Sequence, residues 1–122
     1  MLISITGLEG APASARFFDI GAVIHHRKYD YRGVIVSIDL YCLAGETWYQ
    51  SNKTQPTRNQ PWYHVLVHNS GGLSTYVAQS SLEADKTGQP VVHPRLTTYF
   101  SGFKNGHYIL NSDTQLGGSC SI

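Results

Sequence analysis

Histidine is the residue type in this chain best suited to metal or proton chemistry, and its six copies set the first question. His25 and His26 are adjacent, His64 and His68 lie four apart, and His93 and His107 stand alone. On a helix an i, i+4 pair can share one metal ion. The segment around His64 and His68 reads as a strand, where four residues of rise separate them by about 13 Å, too far for one ion. Neighbours on a strand point to opposite faces, which separates His25 from His26. The histidines therefore read as exposed or hydrogen-bonded side chains, with no metal and no cofactor expected. No nucleophile-elbow sequence is present, and Gly71-Gly72 has hairpin rather than strand-to-helix context, so it is not a phosphate cradle. The acidic residues are scattered singly. The expectation is a non-catalytic binding protein.

Binding chemistry concentrates in two places. Between His25 and Arg32 the chain reads His-His-Arg-Lys-Tyr-Asp-Tyr-Arg, the one cluster of positive charge. It sets Arg27, Lys28 and Arg32 on or beside a turn, interleaved with Tyr29 and Tyr31. Cations neutralise phosphates and aromatics stack on bases, so Arg27, Lys28, Tyr31 and Arg32 are the candidate nucleic-acid contacts. The alternative is a solvated turn whose tyrosines cap the fold. The second place is aromatic. After Gln60-Pro61, Trp62 and Tyr63 face opposite ways on a strand. Either one enters the core while the other anchors a partner, or both are core. Trp48 and Tyr49, with Tyr41 and Leu43, lie in a polar stretch over residues 40 to 61. They either dock into a partner or fold back over the domain. Trp48, Tyr49 and Trp62 are the candidate protein-partner contacts.

The elements that must position these residues are strands. Val34 to Asp39 alternates, with Val34, Val36 and Ile38 on one face and Ile35 and Ser37 on the other. Phe17 to His26 reads as the strand before it, with residues 28 to 33 as the connecting turn. Trp62 to His68 and Leu73 to Ala78 flank Asn69-Ser70-Gly71-Gly72, a hairpin connection of the expected chemistry. Apolar residues on both faces of that hairpin predict a curled sheet or barrel. Ser80 to Glu83 reads as one helical turn, and Arg95 to Phe103 as a short helix with Leu96, Tyr99, Phe100 and Phe103 at helical spacing. Residues 40 to 61 read as an irregular loop. The predicted fold is mainly β: a small antiparallel barrel with a short C-terminal helical segment, and Val34, Val36, Ile38, Val65, Val67 and Val77 in its core.

At 122 residues one domain is expected. Residues 1–16 read as a flexible leader, 17–110 as the domain and 111–122 as a flexible tail. A net charge of +1 makes no strong claim on a polyanion by itself. The two cysteines, Cys42 and Cys120, form no disulfide framework, which fits a reducing compartment. Neither a secretory leader nor a membrane-spanning run is visible, so the expectation is a soluble intracellular protein, cytoplasmic or, in a eukaryote, nuclear, with no membrane partner.

Several ordered motifs together carry a resemblance. Phe18-Asp19-Ile20-Gly21, His26-Arg27-Lys28-Tyr29, Tyr31-Arg32-Gly33-Val34-Ile35, Ser37-Ile38-Asp39 and Asn59-Gln60-Pro61-Trp62-Tyr63-His64-Val65-Leu66-Val67 resemble the hemimethylated-DNA-binding family called YccV-like or HspQ-like. Tyr76-Val77-Ala78-Gln79 with Leu82-Glu83 is similar to its next strand and turn, and His93-Pro94 with Tyr99-Phe100 to its longer members. The tail from His93 to Asn111 is similar to the version found in certain eukaryotic F-box proteins. The resemblance implies an SH3-like barrel and two kinds of partner. One is double-stranded DNA, hemimethylated by the family's name. The other is a protease, chaperone or ubiquitin-ligase component served by an adaptor, the heat-shock side of the family.

Overall fold

A computed structural model describes residues 16–52 and 55–111. Its main sheet has five antiparallel strands: β1 (Val23–His26), β2 (Arg32–Asp39), β3 (Trp62–Val67), β4 (Ser74–Ala78) and β5 (Leu82–Ala84), in the order β4-β3-β2-β1-β5. A helix, α1 (Glu46–Ser51), lies between β2 and β3. After β5 come α2 (Leu96–Tyr99) and a separate two-stranded hairpin, β6 (Phe100–Lys104) and β7 (His107–Leu110). No described helix is long and apolar enough to cross a membrane.

The sheet is curled, and its connections show why. β4 and β5 are opposite edges, yet a single 3-10 turn, Gln79–Ser81, joins them. Four Cα steps reach at most about 14 Å. Five strands laid flat would put the edges about 19 Å apart. The register shift between Ile35 and Ser37 in β2, a bulge, supplies part of the bend. The described ladders do not close the sheet, and β4 keeps an open edge.

Curling buries both faces. Ile24, Ile35, Tyr63, Val65, Val77 and Leu82 pack inside the curl. On the other face Val23, Val34 and Leu66 pack with Val91, Phe100 and Tyr108, where the β6–β7 hairpin covers them. Val34 and Ile35, adjacent and pointing oppositely, are both fully buried. Each buried side chain of this size contributes about 1.5–3 kcal/mol. Of the predicted core, Val34, Val65, Val67 and Val77 are buried, while Val36 and Ile38 are half-buried at and beyond the bulge.

Several expected elements differ in extent. The first strand begins at Val23 rather than Phe17, because Gly21 takes φ 95° and breaks the extended chain. Arg32 and Gly33 belong to β2, not to the turn. Ser80 and Ser81 lie in the 3-10 turn, but Leu82 and Glu83 pair as β5 with β1. The helix expected over 95–103 stops at Tyr99, and Phe100 and Phe103 lie in β6. Asn105 and Gly106, at φ 54° and 76°, form a tight turn with positive φ at both central residues and fold the chain into a hairpin there. Residues 40 to 61 are less irregular than expected, since they contain α1. The leader through residue 15, residues 112–122 and Cys120 lie outside the described residues, and Cys42 is buried and unbridged.

Candidate functional site: the β1–β2 turn and an aromatic groove

The four candidate DNA contacts divide in two. Arg27 and Lys28 sit exposed on the turn between β1 and β2. Arg27 Nε donates to Leu82 O at 3.2 Å, and among the described residues neither cation pairs with a carboxylate. Arg32 is different, because its guanidinium is already engaged within the fold. Its guanidinium grips Asp85 with two bonds, Nε to Oδ1 at 3.0 Å and Nη2 to Oδ2 at 3.3 Å, and also donates to Gln89 O and Pro90 O. With side-chain exposures of 18% and 4%, the pair is a part-buried clamp between β2 and the segment after β5. Tyr31 is half-buried against the His26 ring, and its hydroxyl shares a 2.9 Å hydrogen bond with Thr75 Oγ1.

Two neighbouring histidines hold the turn in opposite protonation states. His25 Nε2 lies 2.6 Å from Asp30 Oδ1, and Nδ1 lies 2.7 Å from Glu83 Oε2. Only an imidazolium can donate to both carboxylates. The bond to Asp30, then that to Glu83, raises the His25 pKa above 6.5. His26 Nδ1 instead accepts the N–H groups of Lys28 and Tyr29 at 3.1 and 3.0 Å, as only an unprotonated nitrogen can. Burial, then the charges of His25 and Lys28, lowers its pKa below 6.5. The Tyr29 ring stacks on it at 4.7 Å.

These shifts give opposite pH dependence. The stabilisation from His25 is complete below 6.5 and is lost as pH rises through its raised folded value. That from His26 is present above 6.5 and is lost as pH falls through its lowered folded value. Titration of the ring carbons by NMR should place the two inflections on opposite sides of 6.5, and Glu83→Gln should bring the His25 inflection down. Coincident titrations would show that the carboxylate bridge does not form.

Beside the turn runs a groove of about 450 Å³ along the open edge of β4. His26, Tyr29, Tyr31, Trp48, Trp62 and Tyr76 line it. Trp62 and Tyr63 are both buried, so Trp62 is not an exposed anchor: it lies beneath Trp48, with Tyr76 packed at 5.3 Å. Trp48 is 39% exposed and stands edge-on to Tyr76 at 5.6 Å, which leaves a face for a ligand. Tyr49 folds back, donating from its hydroxyl to Pro56 O at 2.8 Å and lying against Trp62. Arg58 secures this segment. It stacks 4.8 Å from the centre of the Tyr49 ring and donates to Ala44 O, while its Nη1 faces Glu46 Oε1 at 3.6 Å without a hydrogen bond. The Tyr76 hydroxyl donates to Asp39 Oδ2 at 2.6 Å, and burial followed by that bond raises its pKa strongly. His64 shares the same carboxylate at 3.3 Å.

His64 and His68 thus turn to separate partners, for His68 Nδ1 accepts the Val92 N–H at 2.8 Å. No three His, Cys, Asp or Glu side chains gather into a metal site among the described residues. The arrangement offers π-faces, a strand edge and two free cations. That is equipment for binding.

The sequence pattern of the family described as "Hemimethylated DNA-binding protein YccV like" matches residues 16–107. This chain belongs to the YccV-like family. F-box only protein 21 of Mus musculus is 34% identical to it over 102 residues, and the proteins of the same name from Pongo abelii and Homo sapiens are 33% identical. The match covers 81% of this chain and 16% of each relative, so the chain spans a minor part of the proteins it resembles. The YccV-like region takes in the five-stranded sheet, the groove and most of the β6–β7 hairpin. The expected family is therefore the family found, and it is one defined by binding. Sequence reasoning missed Tyr76 and His26 as parts of this groove and Asp85 as the partner of Arg32. Tyr76 was visible as an aromatic on the strand across from His64, and His26 meets its partners within its own turn, but Asp85 reaches Arg32 only through the long-range return of the chain.

Proposed function

We propose that this chain is a non-catalytic binding domain whose partner is double-stranded DNA, met by Arg27 and Lys28. The observation that carries the reading is the projecting β1–β2 turn, which presents two adjacent cations free of carboxylate partners in a family described by DNA binding. Arg32 is withdrawn from the surface, so the contact is smaller than the sequence cluster implied. Strand order and the single 3-10 crossover also support reading the curled sheet as an SH3-like barrel left open along β4.

Each phosphate contact adds about 0.9 to the slope of log affinity against log salt, so two cations set a slope of about 2 or less. The double variant Arg27→Ala/Lys28→Ala should lose most binding while its melting temperature falls by no more than a few degrees, because both residues are exposed and the single bond from Arg27 Nε to Leu82 O is lost. A variant binding as tightly as the parent would reject this surface. Selectivity among unmethylated, hemimethylated and fully methylated duplexes is expected to be modest, since one methyl group changes a single apolar contact in the major groove. A second reading, an adaptor serving a protease, chaperone or ubiquitin-ligase component, draws support from Trp48, whose exposed ring stands over an aromatic groove, and from relatives named as F-box proteins.

A further inference from the structure

The phase of the β3–β4 ladder shows what the open edge offers. Val67 N donates to Leu73 O at 3.0 Å and Gln79 N to Pro61 O at 2.9 Å. Both bonds fall in the register that sets Val65 opposite Thr75 and Tyr63 opposite Val77. Hydrogen-bonded pairs alternate in an antiparallel ladder, so Thr75 and Val77 spend their backbone groups on β3. Ser74 and Tyr76 turn theirs away from β3, into the groove they line. No described strand pairs there.

We propose that this groove docks an extended peptide segment of a partner protein, added antiparallel to β4, uncharged where it pairs and acidic at its N-terminal end. Three features select that occupant. The edge repeats N–H and C=O groups at strand spacing, a pattern matched by another peptide backbone and not by a phosphate chain, which carries acceptors only. The groove lining contains no Asp, Glu, Lys or Arg, so a charged side chain inside would meet no ion-pair partner. The charge stands at one end. Arg27 N donates to Ser81 O and its Nε to Leu82 O, which seats Arg27 and Lys28 just beyond the C-terminal end of β4. A strand antiparallel to β4 begins at that end, so its first residues meet the two cations. This proposal does not depend on whether the same cations also meet phosphate.

The probe is the synthetic peptide acetyl-Glu-Asp-Thr-Val-Thr-Val-Thr-amide, titrated into the full chain labelled with 15N. Saturable shifts are expected at the Ser74 and Tyr76 amides and the Trp48 indole, with Kd of roughly 10–300 µM. Methylating the peptide nitrogens that face β4 should weaken binding about tenfold per bond lost, while methylating the alternate set should leave it unchanged. A peptide with Lys-Lys in place of Glu-Asp should fail on the parent and bind the Arg27→Glu/Lys28→Glu variant. Trp48→Ala should weaken the peptide at least about tenfold, as loss of an aromatic anchor does. Three results would overturn the proposal: no saturable shift up to about 2 mM, equal effects of the two methylation sets, or the same resonances moved by an oligothymidylate and not by the peptide. The last would assign the groove to nucleic acid.

Discussion

Arg32→Ala is expected to lower the unfolding free energy by about 3 kcal/mol, because removing one partner of a part-buried ion pair strands a carboxylate that is itself well covered. In a domain of this size that corresponds to a fall of about 10–20 °C in Tm. The stranded group is Asp85, whose side chain is 4% exposed and would keep only the Thr87 hydroxyl at 2.7 Å. Burial works to raise the Asp85 pKa, but the hydrogen bonds and charge of Arg32, with Thr87, outweigh it and hold the carboxyl below 3.8. The parent therefore carries stability from this group above pH 3.8 and loses it as pH falls through the lower folded value. Without Arg32 the push from burial is opposed only by Thr87, and the variant regains ground when the carboxyl is protonated. Urea unfolding of both proteins at neutral pH and near pH 4 should thus show a gap that narrows on acidification. Asp85→Asn should cost less, since Arg32 keeps Gln89 O and Pro90 O as acceptors. A loss below about 1 kcal/mol for Arg32→Ala would mean that the clamp contributes little. Arg32 would then return as a candidate phosphate contact.

That clamp also marks where reading the sequence runs out. The hairpin from Trp62 to Ala78 was legible because alternation, β-branching and the Asn69-to-Gly72 connection agree at short range. The β1–β2 turn with Arg27 and Lys28 was legible for the same reason. Arg32 reads as a third cation of that turn until Asp85, far along the chain, returns beside β1 through the 3-10 crossover. The burial of Ile35 was hidden because alternation assigns one face to solvent, and this sheet has no such face at Val34–Ile35. In the C-terminal part the helical spacing of Leu96, Tyr99, Phe100 and Phe103 competed with a stronger local signal, Asn105-Gly106 between apolar residues, and the turn chemistry won. The groove was legible only in pieces. Trp48, Trp62 and Tyr31 stood out as aromatics, but that they line one groove along β4 depends on the curl, to which the bulge in β2 and the crossover contribute.

The same dependence on a long-range approach makes Gly21→Ala the substitution expected to cost most. Gly21 stands at φ 95°, and a Cβ there would lie 2.3 Å from the carbonyl oxygen of Tyr108 and 3.0 Å from the His107 ring. A backbone oxygen in a paired strand cannot swing aside as a side chain does, so β7 itself must move. The approach is close because Gly21 ties two sheets together: its N–H donates to Ile35 O at 2.8 Å, and its carbonyl accepts the Tyr108 N–H at 2.9 Å. Moving β7 would lift Tyr108 and Phe100 from Val23 and Val34. Left-handed backbone strain of about 1–2 kcal/mol then adds to lost hydrogen bonds and packing, for a total of about 4 kcal/mol. Gly71→Ala isolates the first part. Gly71 has φ 75°, but nothing lies within 4 Å of its added Cβ, so strain alone applies and about 1 kcal/mol is expected. Hydrogen exchange separates the variants further, because Gly21→Ala should release the β7 amides from protection while β3 and β4 stay closed. Equal losses for the two alanine variants, with β7 still protected, would mean that Gly21 bears only backbone strain and that the hairpin is held to the sheet by its side chains.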